Sequence, residues 1–393
     1  MRTRVKYGDN VFDESLRRLT SLYENGHRVI VSFSAGKDSG ICLELAVLAA
    51  EKTGRLPVEA IIRDEEVMLP STLEYALRTH ARKDVNLHWV VANQPVINIF
   101  NRECPYFWVF DPLLKPDEWV RKPPEFTEYI KHKDIEHMVN TKDYPPAPGK
   151  DLVSIIGLRV AESQRRKMAI ASAKGFLTKK NVAGVRRGNV IYDWEDRDVW
   201  RAIKQNKWDY NHAYDIMYRL GAPKSKGSRM SKKMLIAFRI APPTLVVHAI
   251  ERLRVASKAY PIWYHRVCKR LPGVRAAVRY GRMVLEPIRR LGETWQECFQ
   301  RTCIDEAPEW IAERSEKARE VILRYHSHHS TAPFPDASKC GRCAAPASWK
   351  DLARMLYNGN PFCIGGQINK CLPYVQPEDF RKGAGEWGGK PTW

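Results

Sequence analysis

The chain predicts an α/β fold, a doubly wound parallel sheet, and three observations predict it. Short runs rich in Val, Ile and Leu alternate with longer stretches of helical period. The first such run, residues 29–33, passes directly into a turn of small polar residues, 34–39, and from there into a helix-like stretch, 40–53. Finally, 393 residues with 44% hydrophobic and 28% charged content can bury a sizeable core in two or three domains. Strands alternating with helices imply right-handed crossovers in a parallel sheet. Ligands of such sheets gather at the carboxyl ends of the strands, where the 34–39 turn lies.

The elements follow in order. Residues 13–24 read as an amphipathic helix with Leu16, Leu19 and Leu22 or Tyr23 on one side, and 29–33 as a buried strand. The helix over 40–53 is ended by Gly54. Residues 58–62 predict the second strand, 70–82 a helix and 87–91 the third strand. From 93 to 150 the periodicity lapses into Pro- and aromatic-rich sequence, expected as one partly helical insertion over the site, a lid. Residues 153–156 resume the sheet and 161–174 follow as a helix. A short strand is expected at 190–192, then helices at 196–205 and 211–220. Boundaries are expected at 222–233 and 327–339, and a loose tail at 383–393. The resulting division is a nucleotide-binding domain over 1–221, a basic helical region over 222–330 and a four-cysteine module with the tail over 331–393.

No apolar stretch approaches the roughly 20 residues needed to span a bilayer, and the N-terminal residues lack the apolar core of a signal peptide. A cytoplasmic protein without a membrane partner is the expectation. Nine cysteines, seven of them beyond residue 260, fit a reduced compartment with a metal site better than a secreted disulfide scaffold.

The turn after the first strand carries the sharpest chemistry. Ala35 and Gly36 are small enough for a polyphosphate to approach the backbone, Ser39 can cap the following helix, and first-turn N–H groups face the anion. Lys37 adds a mobile positive charge. A Walker A loop needs a glycine five residues before its Gly-Lys pair, and Val31 stands there. The short Ser34-Ala35-Gly36-Lys37-Asp38-Ser39 form resembles instead the PP-loop of the ATP pyrophosphatases, or adenine nucleotide alpha-hydrolases.

Three further segments are similar to the branch of that family containing phosphoadenosine phosphosulfate reductases and the sulfur-transfer ATPase of DNA phosphorothioation. They are Ile61-Ile62-Arg63-Asp64-Glu65-Glu66 before Pro70-Ser71-Thr72, Gly157-Leu158-Arg159-Val160-Ala161-Glu162-Ser163, and Tyr192-Asp193-Trp194 followed by Asp198-Val199-Trp200. The resemblance implies that ATP binds at Ser34, Ala35, Gly36, Lys37, Asp38 and Ser39, with Asp64 and Glu65 at the adenosine end and Gly157 beside Arg159. Lys37, Asp38 and Arg159 are the expected catalytic residues: the cations neutralise charge on the phosphoryl oxygens, with Arg165 and Arg166 in reserve, and Asp38 or Asp64 holds Mg2+. Glu162 is expected to orient Arg159, and Trp194 and Trp200 to be core residues. The branch's reductases carry a C-terminal Glu-Cys-Gly-(Ile/Leu)-His segment. The nearest string here, Gln296-Glu297-Cys298-Phe299-Gln300, lacks its glycine and histidine.

Cys340-Gly341-Arg342-Cys343, with Cys363 and Cys371, offers four thiolates for a tetrahedral zinc or, as the phosphorothioation relatives imply, a 4Fe–4S cluster. The stretch from Lys224 to Arg290 holds seventeen Lys and Arg against Glu251 and Glu286, interleaved with Tyr260, Trp263, Tyr264 and Tyr280, so a nucleic acid or another polyanion is its expected partner. The expected function is cleavage of ATP between the alpha and beta phosphates to adenylate an acceptor. The alternatives are a nucleotide-responsive, nucleic-acid-binding co-regulator, which in this branch works with a ParB-like partner, and a sulfonucleotide reductase, which would need a thiol role for Cys298 or Cys303.

Overall fold

The computed structural model describes residues 10–173, 175–220, 250–281, 285–343, 345–361, 368, 372 and 375–380. The chain divides into two compact units instead of the three expected segments. The described residues up to Gln94 and those from Arg121 to Leu220 form the first; Pro95–Val120 and the described residues from Ile250 onward form the second.

In the first unit, α1 (Val11–Glu24) is capped by Asn10, whose side chain accepts from the amides of Phe12 and Asp13. It leads into β1 (Arg28–Ser32), α2 (Lys37–Thr53), β2 (Val58–Asp64), α3 (Pro70–His80) and β3 (Val85–Ala92). Gly54 ends α2 at φ 66°, as its position predicts, and Pro70 opens α3 where a missing N–H costs nothing. After the short strands β4 (Pro95–Ile97) and β5 (Tyr106–Trp108) of the second unit, the first resumes with β6 (Glu128–Ile130), β7 (Leu152–Ile155), α4 (Gln164–Ala173), β8 (Val185–Gly188), α5 (Asp196–Asn206) and α6 (Ala213–Arg219).

The sheet runs β6-β3-β2-β1-β7-β8 with every pair parallel. Both faces are covered: Val29 and Val31 pack with Leu19, Ile41, Leu45 and Trp194, while Ile30 packs on the opposite face with Ile61, Val90 and Leu152. That period of two, apolar on both sides, is why the strands read as continuous hydrophobic runs. Strand order reverses between β1 and β7, which sets the loops after these two strands side by side at the switch point.

Three expectations are corrected. The last strand is Val185–Gly188 and not 190–192: Val190 and Ile191 are fully buried but form a turn, whose carbonyl at Val190 accepts from Ser15 Oγ and Arg18. The strand escapes periodicity because it is a short edge strand containing Arg186 and Arg187. The stretch 93–150 is split between the units: its Arg121-to-Lys150 part supplies β6, and its Pro95–Val120 part supplies the antiparallel β4–β5 pair of the second unit. Its reading as one lid is not what the structure shows. Residues 327–339 are no boundary either, because Phe334 within them is buried in the core of the second unit. The 222–233 boundary and the tail lie outside the described residues.

The second unit also contains α7 (Ile250–Ala259), α8 (Pro261–Arg270) and α9 (Val274–Tyr280), which bury Leu253, Trp263, Val267, Val274 and Ala277. Further on, α10 (Trp295–Gln300), α11 (Glu309–Ser327) and α12 (Trp349–Leu356) close over Phe299, Cys303, Ile322, Phe334, Trp349 and Leu352.

Candidate functional site

β1 delivers the chain into the 34–39 loop, and the loop is tightly built. Ala35 is fully buried at φ 53°, a left-handed conformation that costs an alanine about 1 kcal/mol, and Asn211 Nδ2 holds its carbonyl at 2.9 Å. Gly36 is the N-cap of α2 and supplies no side-chain cap. Ser39 lies within the first turn of the helix: its hydroxyl accepts from the Ser34 amide at 3.1 Å and donates to the Gly36 carbonyl at 3.0 Å, so it braces the loop from behind. Among the described residues, a side chain built at Gly36 would meet only Ser34 Oγ at 3.4 Å and Tyr214 Oη at 3.7 Å, which is ordinary contact. The packing of the described residues therefore does not demand this glycine.

The loop after β7 closes on the first turn of α2. A Cβ at Gly157 would stand 2.8 Å from the Asp38 carbonyl carbon and 2.9 Å from the Ser39 nitrogen, so only glycine fits. Two residues on, Arg159 is 2% exposed. Its Nε lies 2.7 Å from Asp38 Oδ1, and its Nη2 lies 2.7 Å from Asp196 Oδ1 and 3.8 Å from Glu162 Oε1. Among the described residues its buried Nη1 has no hydrogen-bond partner. Such a buried guanidinium N–H is costly to leave unmade and suits an anionic oxygen.

Lys37 is not mobile as its sequence reading has it: it is 4% exposed, with Nζ 2.7 Å from Asp38 and 3.4 Å from Asp196. Burial pushes its ammonium pKa down, with Asp38 pulling the other way. The arriving negative charge of a phosphate would favour the protonated lysine. The Lys37 amide donates to Tyr214 Oη at 3.0 Å.

The structure thus brings together Ser34 to Ser39, Gly157 and Arg159. It engages Asp64 and Glu65 differently. Asp64 is fully buried, with Oδ2 accepting from Trp89 Nε1 at 2.9 Å and Oδ1 taken by the Glu66 amide and Arg121. Asp38 is likewise engaged through both oxygens, by Arg159 and Lys37, but its side chain is 18% exposed where that of Asp64 is fully buried, which makes it the less enclosed of the two expected Mg2+ ligands. Glu65 pairs with Arg63. Glu162 also pairs with Arg166, so it links that cation to Arg159; nothing is described of the Arg165 side chain. Trp194 is core, donating to Ser15 Oγ, and Trp200 packs edge-on against Tyr210 and Tyr214. Asp193 is spent on Arg18, bonded through both oxygens at 2.7 and 3.0 Å.

Sequence reasoning missed Asp196, which opens α5 and reaches both cations, and Asn211 and Tyr214, which brace the loop from far along the chain. Asp196 had a faint signal, an acidic residue at a helix start between the two Trp motifs. The other two had none.

The thiol expected of a reductase is not exposed: Cys298 and Cys303 are both fully buried. Burial raises both thiols, that of Cys303 to about 12. That is the wrong direction for a nucleophile.

In the second unit, Cys340 and Cys343 face two histidines, His326 and His329, and the four ligand atoms lie within 4.8 Å of one another. This donor set could hold a metal ion such as zinc. Backbone N–H groups of the knuckle, chiefly that of Arg342, with His329 pull the Cys340 thiol down to about 6. Cys363 and Cys371 lie outside the described residues.

Of the basic stretch, Lys224, Lys226, Arg229, Lys232, Lys233, Arg239 and Arg282 also lie outside them. Arg254 and Arg270 serve the fold, donating to the carbonyls of Val278 and Trp108. Arg266, Lys269, Arg275 and Arg279 are exposed along α8 and α9, which contain no acidic residue. Among the described residues no helix is long and apolar enough to cross a membrane.

Over residues 28–223 the chain matches the family described as Phosphoadenosine phosphosulfate reductase domain. The uncharacterized protein YbdN of Escherichia coli (strain K12) is 25% identical over 416 residues, covering 96% of each chain. Similar solved structures include the FMN adenylyltransferase of Candida glabrata with FMN and the ATP analogue AMPCPP, at TM-score 0.34 and 11% identity, covering 54% of this chain and 65% of that one. The chain therefore spans slightly under two thirds of that enzyme. The phosphoadenylyl-sulfate reductase of Candida auris, in its phosphate complex, overlaps at TM-score 0.30 and 14% identity, covering 56% of this chain and 95% of that one.

Proposed function

Since residues 28–223 belong to the phosphoadenosine phosphosulfate reductase domain family, whose PP-loop units use nucleotides, we propose that the chain cleaves ATP between its alpha and beta phosphates and adenylates an acceptor. The observation that carries this reading is the buried Arg159, with an N–H that has no partner among the described residues, held against the first turn of α2 beside Lys37. The beta and gamma phosphates would occupy the space above Gly36 and take the first-turn amides of α2. Arg159 and Lys37 then face the phosphoryl oxygens on which charge builds. An acceptor nucleophile attacks the alpha phosphorus, the bond from that phosphorus to the bridging oxygen breaks, and pyrophosphate leaves with the bonding pair. Mg2+, when bound, would neutralise phosphate oxygens, and Asp38, the partly exposed carboxylate of the loop, would hold it on exchanging its contact with Lys37 or Arg159 for the ion.

A nucleic acid is the acceptor class that the exposed Arg266, Lys269, Arg275 and Arg279 favour, with Tyr280 beside them for stacking. The buried Cys298 and Cys303 weigh against sulfonucleotide reduction.

The test is pyrophosphate release from ATP and Mg2+ by the whole protein, with and without DNA or RNA, alongside Lys37→Ala and Asp38→Ala. Release that depends on both residues and rises with one nucleic acid supports adenylation. ATP binding without release, under every acceptor tried, would overturn it in favour of the nucleotide-responsive regulator.

A further inference from the structure

We propose that His326 Nδ1, His329 Nε2, Cys340 Sγ and Cys343 Sγ bind one structural zinc ion that clips the end of α11 to the Cys-x-x-Cys knuckle. The distances carry the assignment. Cys343 Sγ lies 3.5 Å from His326 Nδ1 and 3.5 Å from His329 Nε2, and Cys340 Sγ lies 3.6 Å from His329 Nε2. A tetrahedral zinc with Zn–S of about 2.3 Å and Zn–N of about 2.0 Å puts sulfur and nitrogen ligands about 3.5 Å apart. Three of the six ligand–ligand distances already match such an ion, and all six are within 4.8 Å.

The surroundings fit the same ion. His326 is buried, and its other ring nitrogen, Nε2, is 3.0 Å from the Ala332 carbonyl, an acceptor that fixes the tautomer leaving Nδ1 free to ligate. Two thiolates and two neutral imidazoles balance the charge of a zinc ion, which suits a half-buried position. Four protein ligands leave no open place for water or substrate, so the ion's role is structural. A cubane cluster would keep its four ligands on four separate irons, too widely spread for atoms that are all within 4.8 Å of one another.

The spacing is His-x2-His, ten residues, Cys-x2-Cys. Between the two pairs, Phe334 is the buried apolar anchor, its ring 5.3 Å from that of His326 and 5.5 Å from that of Trp349. The clip therefore holds a loop that has little core of its own, and keeps Phe334 seated against Trp349 and Ile322. Two histidines take the places that a four-cysteine reading assigns to Cys363 and Cys371.

The experiment is metal analysis of the whole protein purified without chelator, with zinc-edge X-ray absorption on the wild type. The expected result is about one zinc per chain in a shell of two sulfurs and two nitrogens. Zinc should fall to a small fraction in Cys340→Ser/Cys343→Ser and His326→Ala/His329→Ala, and remain in Cys363→Ser and Cys371→Ser. A four-sulfur shell, zinc lost with Cys363 or Cys371 but kept without the histidines, bound iron with acid-labile sulfide, or no metal would each overturn the assignment. The absorption arm needs no variant, so a failure of the substituted proteins to fold leaves the question decidable.

Discussion

Gly157→Ala is the sharpest test of how the loop is built. The added methyl would sit 2.8 Å from the Asp38 carbonyl carbon and 2.9 Å from the Ser39 nitrogen, about 0.6 and 0.5 Å inside the 3.4 Å at which ordinary contact begins. Both neighbours are backbone of α2, a helix buried along Ile41, Leu43, Leu45 and Ala46, so neither can swing aside as a side chain would. Relief requires the 157–159 loop to lift from the first turn of α2 by about half an ångström. Overpacking of this kind costs about 2 kcal/mol. Because Arg159 lies two residues away and meets Asp38 and Asp196 at 2.7 Å, the same shift displaces the guanidinium from the loop. A misplacement approaching 1 Å can cost about 100-fold in rate. Urea unfolding should show the stability loss, and pyrophosphate release a fall in kcat/KM of about 100-fold that persists at temperatures where the variant remains folded. Wild-type stability and wild-type turnover together would refute the close approach and the positioning argument built on it.

The other substitutions separate fold from function. Gly36→Ala, at φ −91° and with only ordinary contacts for its methyl among the described residues, should change stability by no more than about 0.5 kcal/mol yet weaken ATP binding at least about 10-fold in calorimetry; unchanged affinity would mean that the phosphates do not lie there. Arg159→Met removes the cation between Asp38 and Asp196, and should cost about 2 kcal/mol in unfolding and about 1000-fold in turnover, whereas an unaffected rate would remove Arg159 from the chemistry. Away from the site, Arg301 with the Arg290 backbone N–H pulls the Glu293 carboxyl to about 2. A depressed folded pKa stabilises above the unfolded carboxylate value, about 4.5, and the contribution disappears as pH falls toward 2. Glu293→Gln should therefore be less stable than wild type at pH 7, with a gap that narrows below about pH 4.5; a gap that stays constant down to pH 3 would contradict the pairing.

How much of this was legible in the chain depends on distance along it. Residues 28–62 declare strand, phosphate turn, helix and strand within one local run, because each choice there is dictated by neighbours a few positions away. Gly157 and Arg159 were legible too, through the company of Glu162 and Ser163. Val185–Gly188 was not, since a short edge strand needs no apolar alternation and here carries two arginines. His326 and His329 were overlooked although they stand close together, because the cysteines further along offered a complete ligand set by spacing alone.

Local sequence by itself determined the parallel α/β architecture and the loop that opens α2, for periodicity, turn chemistry and helix termini are properties of contiguous residues. Tertiary structure decided the rest. Only folding could show that Asp64 spends both its oxygens on Trp89, Glu66 and Arg121, or that Asp196, Asn211 and Tyr214 come from far along the chain to meet Arg159, Lys37 and the loop. Only folding could pair two histidines with two cysteines. The physical reason is that a site is a meeting of side chains, and burial and exclusion of water at that meeting depend on the packing of elements that the linear order leaves far apart.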